Sequence, residues 1–338
     1  MNITRALLVL FIVGIFTSCT ESRWKADTSS IEYNAEILRL DRDLFAYENG
    51  ISQEELVSLK DNYGDFLNIY MSQIMQVGLV ENPMTASLFS RFLTDSDWQN
   101  LQEIIDEKHP NLKKESAALG NAFKRYAVLF EETELPQITA YNSGFNVGIY
   151  PDSTNLGIGL EWYSGNDLEI LNRLPPDLFP QYKRDKMMPE FMTINALKGW
   201  LYYRYQDFNN GDNLLNRMAH SGKLNYIAAA LMENVSDRVV LNYTPEQIEW
   251  CKREEHEIWK FFLQRELLFS QEGKEVDKMM NDGPFTPGMP PESPGGVGNY
   301  IGYQMVKSYM DKNKNVTLVD LINMKNDREL LNSYKPGR

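Results

Sequence analysis

The chain has 338 residues, of which 43% are hydrophobic and 12% aromatic, enough for a packed core and against disorder. Its net charge of −13, with no Lys/Arg cluster to offset it, argues against a nucleic-acid partner. The two cysteines, Cys19 and Cys251, stand in unlike contexts and do not read as a pair.

Met1 to Arg5 carries one positive charge, and Ala6 to Phe16 is an eleven-residue apolar run. Spanning a bilayer takes about 20 such residues, so the run is too short for an anchor and fits a secretory signal over residues 1–18. Thr17 and Ser18 stand directly before Cys19, a pattern that resembles a bacterial lipobox, with Phe16 where leucine is usual. The expectation is cleavage before Cys19 and acylation of that cysteine, which anchors the chain to a membrane of the cell envelope. Residues 19–30 read as a polar tether. Residues 31–338 read as one mainly helical domain.

Residues 31–48 read as a strand or a first helix. Ser52 and Glu55 form a capping box ahead of a helical stretch through residue 75. Further helices are expected at 84–93, 96–107 and 114–131, with breaks at Pro83 and Pro110. Over 136–163 glycines, β-branched residues and aromatics alternate, and two or three strands are expected. Residues 172–189 form a Pro-rich connection. Helices resume at 189–206, 211–232, 244–269, 272–281, 299–312 and 317–334, with N-caps at Thr244 and Thr317. The fold class is α+β: mainly helical, with one small antiparallel or mixed sheet near the middle.

His256-Glu257-Ile258-Trp259-Lys260 falls one residue short of the zinc motif HExxH. The second imidazole is replaced by Lys260, a cation. The chain has three histidines, His109, His220 and His256, and no two are a helical turn apart. The motif therefore reads as coincidence on a solvated helix face, and neither a metal site nor a cofactor is expected. On the same helix Glu255 projects into the apolar arc of Cys251, Trp259 and Phe262. It reads as a buried structural carboxylate bonded to a backbone N–H or a tyrosine, or as a functional acid. Glu161 and Asp167 are a candidate acid–base pair, though acids at a turn usually serve the turn. Gly222, with the alanines after it, points to close helix contact. The glycines of 294–300 point to tight packing, and Cys251 to a core thiol.

Several long stretches then carry a family resemblance. "NYTPEQIEWCKREEHEIWKFFLQRELLFS" (242–270), "DGPFT", "SPGGVGNYIGYQMVKSYM" and "LLNSYKP" are similar to the gliding-motility lipoprotein GldB family. So are "YGDFLNIYMSQIM", "LPQITAYNSGFNVGI", "GIGLEWYSGND", "FPQYKRDKMMPEFM" and "SGKLNYIAAALM". The resemblance runs from about residue 31 to the C-terminus, with Glu161 where the family tends to carry Asp.

The resemblance implies a lipoprotein that gliding bacteria need for surface movement, acting with other envelope proteins of the gliding and secretion machinery. It also implies a zincin-like scaffold, distantly similar to metallopeptidases, in which the metal site is lost because the candidate helix 189–206 has no histidine. The reading that follows is a pseudoenzyme with no catalytic residue. It faces the periplasm, on the outer membrane rather than the inner, and offers a groove at Phe145, Val147, Ile149, Glu161 and Asp167 to a partner segment. The alternative is a peptidase-like hydrolase using Glu255, Glu161 or Asp167; a third reading is a small-ligand site around Trp162, Tyr163 and Trp200.

Overall fold

The computed structural model describes residues 23–337. Strand β1 (Ile37–Arg39) runs straight into helix α1 (Leu40–Phe45), so residues 31–48 supply both a strand and a helix. The capping box at Ser52 and Glu55 opens α2 (Gln53–Ser58) as expected. The long helix expected after it is broken into α3 (Lys60–Tyr63), α4 (Asp65–Ile69) and a π-turn over Tyr70–Ile74; α3 and α4 are separated because Gly64 leaves the helical region, at φ +52. Helices α5 (Thr85–Leu93), α6 (Ser96–Lys108) and α7 (Lys113–Phe130) follow, each end within one residue of its expected place.

Strands β2 (Gln137–Tyr141), β3 (Ile149–Pro151) and β4 (Asn155–Gly159) lie in the region where strands are expected. With β1 they form one mixed sheet in the order β1-β2-β4-β3. β1, β2 and β4 are parallel, and β3 is antiparallel to β4. Alternation along β2 divides the molecule. Ile138 and Ala140 join the larger core with α7 and the later helices, whereas Tyr141 joins the smaller core of the first helices, with Phe66 and Tyr70. The sheet is thus covered by helices on both faces.

The second half comprises α8 (Gln181–Arg184), α9 (Met192–Arg204), α10 (Leu214–Leu231), α11 (Asp237–Leu241) and α12 (Pro245–Gln264). It continues with α13 (Gly273–Met280), α14 (Val297–Lys312), α15 (Leu318–Asn323) and α16 (Arg328–Ser333). Two expected helices are shorter than their pattern. The one from Thr244 stops at Gln264, because Glu266 turns left-handed at φ +53 ahead of a short 3-10 turn. The one from Thr317 splits at Met324–Asp327. The amine of Lys223, 1% exposed, reaches that break and donates to Met324 O (2.9 Å) and Asp327 Oδ1 (2.8 Å). Asn210 and Asn216 also donate to the Asp327 carboxylate, so the buried charges are paired and bonded.

The central contact is α10 on α14. A Cβ on Gly222 would lie 2.2 Å from Gly302 O, and one on Gly302 only 2.0 Å from Met218 O. The two backbones touch, which is the close approach that Gly222 signals in the sequence. α12 begins with a complete capping box: Thr244 Oγ1 accepts from Gln247 N–H, and Gln247 Oε1 accepts from Thr244 N–H. Thr244→Ala is expected to lower stability by about 1 kcal/mol in denaturant melts.

Candidate functional site

β3 is one of the two outer strands and pairs with β4 alone. Its other neighbour is α9, which comes close because residue 199 is glycine: a Cβ there would lie 2.6 Å from Ile149 Cγ2. Between them lies a hollow of about 390 Å³. Ile149 and Trp162 form its sheet side, Asn195, Lys198 and Tyr202 its helix side, and Lys183, Lys186 and Asp282 its rim. A wider hollow of about 910 Å³ lies at the end of α12, around Leu263, Leu267 and Phe269. It has no buried charge or orphaned polar atom, so the smaller one is the better site.

The pocket is cationic in an acidic protein. Lys186 pairs with Asp282 at 2.5 Å. Lys183 Nζ donates to Leu178 O at 3.2 Å, and Lys198 Nζ to Val240 O at 2.6 Å. Lys198 has no carboxylate partner among the described residues. Burial, together with the nearby Lys186 cation, pushes its amine down to about 7. In the same wall Asn242 donates to Asn195 Oδ1 at 2.7 Å. Asn242 Oδ1 and Trp162 Nε1 are covered and have no hydrogen-bond partner.

Of the groove residues expected from sequence, Ile149 lines the pocket. Phe145 lies behind it, edge-on to Trp162 at 5.8 Å and to Phe179 at 5.5 Å. Val147 instead packs on the smaller core. Asp167 is exposed at a turn and does not line the pocket. Glu161 is fully buried beneath the 143–145 loop. Its Oε1 accepts from Ser143 N–H (2.9 Å), Ser143 Oγ (2.6 Å) and Phe145 N–H (3.2 Å). Its Oε2 has no partner. Burial pushes this carboxyl up to about 7, against the pull of the Ser143 and Phe145 hydrogen bonds. Phe145 itself holds φ +67, a strained conformation for a bulky residue, and Glu161 is the group that ties it down.

Glu255 is far from this chemistry. Tyr300 donates to its Oε2 and Tyr334 to its Oε1, both at 2.8 Å, and Gly337 N–H joins at 3.1 Å. It fastens the C-terminal segment to α12, and it is half-buried rather than buried. Glu161, Asp167 and Glu255 therefore share no cleft. His256 is exposed, as are Glu257 and Lys260, which pair at 3.1 Å. Burial raises the Cys251 thiol, which is fully covered. Among the described residues no three His, Cys, Asp or Glu side chains gather to hold a metal, and no helix is long and apolar enough to cross a membrane. Cys19 lies outside the described residues.

Lys198, Lys186 and Asn242 are not singled out by the sequence reading. The available signal is a lone cation inside the largely apolar stretch "INALKGWL" of α9, where Ile194, Ala196, Leu197, Trp200 and Leu201 are core.

The family model of the gliding motility protein GldB matches residues 21–336. No curated protein and no solved structure matches the chain.

Proposed function

Because the chain belongs to the GldB family of gliding motility proteins, we propose that it works by docking rather than by catalysis. It is anchored in the cell envelope through acylated Cys19 and binds an extended, acidic segment of another envelope protein of the motility machinery. The segment lies along β3 and α9, where main-chain groups of an outer strand give affinity and the pocket gives specificity. In this reading the scaffold is the peptidase-like one that the family resemblance implies, with its metal site lost; α9 presents Asn195, Lys198 and Tyr202 to the pocket.

The observation that carries this reading is Lys198: a partly buried cation beside an outer strand, without a counter-charge among the described residues. A carboxylate from a partner supplies that counter-charge. Keeping an unpaired cation in a protein wall is unfavourable, so a docking role explains a residue that stability alone disfavours.

Lys198→Met is therefore expected to leave the fold as stable as wild type, or about 1 kcal/mol more stable, and to abolish spreading of cells on agar. Variant cells that spread normally contradict the proposal. Charge sets the pH profile. Lys198 is cationic below about 7 and neutral above it. Binding of a poly-glutamate peptide, measured by calorimetry, is expected to weaken about tenfold from pH 6 to pH 8 and to vanish in Lys198→Met.

A further inference from the structure

We infer that the protein stands on a lipid surface on the C-terminal end of α14, with the pocket held away from the bilayer. The inference rests on the lipid-anchor reading above and goes beyond it. Arg23, four residues after Cys19, is bonded to the body of the protein. Its Nη1 donates to Met310 O at 2.6 Å, and its Nη2 to Asn313 O at 3.1 Å and to Val316 O. These carbonyls belong to the last turn of α14 and the loop after it, where helix carbonyls lack partners and the helix dipole favours a cation. The same guanidinium sits over Trp24, 4.4 Å from its centroid, and Trp24 meets Tyr226 of α10 edge-on at 6.2 Å.

The reach is then fixed by chain length. Four residues, fully extended, span at most about 14 Å. An acylated Cys19 thus holds the bilayer surface within that distance of the end of α14. The loop Asn313–Val316, with Asn315 and Lys314 exposed, comes down on the headgroups.

The pocket lies at the other end of the same helix. Tyr202, in its wall, donates to Ser221 Oγ at 3.1 Å, and Ser221 donates to Asn299 Oδ1, in the first turn of α14, at 2.7 Å. Asp282 of the rim precedes Gly283, whose backbone lies against Gly295. The 16 residues of α14 make a rod about 24 Å long at 1.5 Å per residue. From Asn299 on the pocket side to Met310 at the mooring is eleven residues of that rod, about 17 Å, and the pocket opens to partners rather than to lipid.

The test uses acylated full-length protein on liposomes that carry a nitroxide quencher at the headgroup. A fluorophore is placed on Asn315→Cys or, beside the pocket, on Gln181→Cys; the native thiol Cys251 is buried and does not compete. The label at 315, beside the mooring, is expected to be quenched at least about threefold more than that at 181, beside the pocket, given the length of α14 between mooring and pocket. In Arg23→Ala, which frees the mooring, the two are expected to become similar while the protein stays on the liposomes. Equal quenching in the parent protein, or a ratio unchanged by Arg23→Ala, overturns the orientation. Failure of the acylated protein to bind liposomes overturns the anchor and the orientation with it.

Discussion

Glu161→Ala is expected to lower the stability of the fold by about 4 kcal/mol. The substitution leaves two buried donors without an acceptor, Ser143 N–H and Phe145 N–H, each orphan costing about 1–3 kcal/mol, and takes from the Ser143 hydroxyl its shorter bond, leaving it Val147 O at 3.3 Å. Relief of the buried carboxylate offsets part of that sum. The 143–145 loop, with Phe145 at φ +67, then loses the contact that holds it, and Trp162 of the pocket loses its backing. Glu161→Gln separates charge from hydrogen bonding, because it keeps the acceptor and removes the titration. The folded state holds the Glu161 proton up to about 7, whereas an unfolded chain releases it in the ordinary carboxylate range. Folding therefore takes up a proton between those values, and stability falls as pH rises through the window, by about 3 kcal/mol in all. His109 and His220, both held down chiefly by burial, act in the opposite direction at mildly acid pH. The difference between wild type and Glu161→Gln, melted in denaturant from pH 5 to pH 8, isolates the carboxyl. A difference that does not change with pH contradicts the assignment.

Gly222→Val is expected to be more damaging, with a loss of about 5 kcal/mol or failure to fold. Backbone faces backbone here: the added Cβ lies 2.2 Å from Gly302 O, and no side chain can swing aside. Separating α10 from α14 also strains the Lys223–Asp327 pair and the Tyr202–Ser221–Asn299 chain, since Ser221 and Lys223 flank the glycine. A thermal melt within a degree or two of wild type contradicts this contact as the centre of the fold.

What the sequence could convey divides by the range of the interaction. The helix starts at Ser52, Thr244 and Thr317 are local, because cap and acceptor lie three residues apart, and all three boxes form. Gly222 speaks plainly for the same reason: a small residue within a helix advertises a near neighbour. β1 is ambiguous because three residues gain strand character only by pairing with β2, far along the chain. The break at Met324–Asp327 is invisible locally, because its cause is an amine on another helix. Glu161 reads as a turn acid, since its neighbours "WYSGND" are turn-like, and only the tertiary fold lays the 143–145 loop over it. The pocket is the least legible feature. It is assembled from β3, α8, α9, the end of α11 and the loop at Asp282, and no single stretch contains its pattern.

The most direct measurement is crosslinking in gliding cells from a photoreactive residue at Lys183, on the pocket rim, with the same residue at Asn315 as control. The docking account predicts an adduct with an envelope protein from position 183 that is absent from position 315 and disappears when Lys198 is changed to methionine. An adduct that persists in Lys198→Met, or its absence in cells that glide normally, contradicts it.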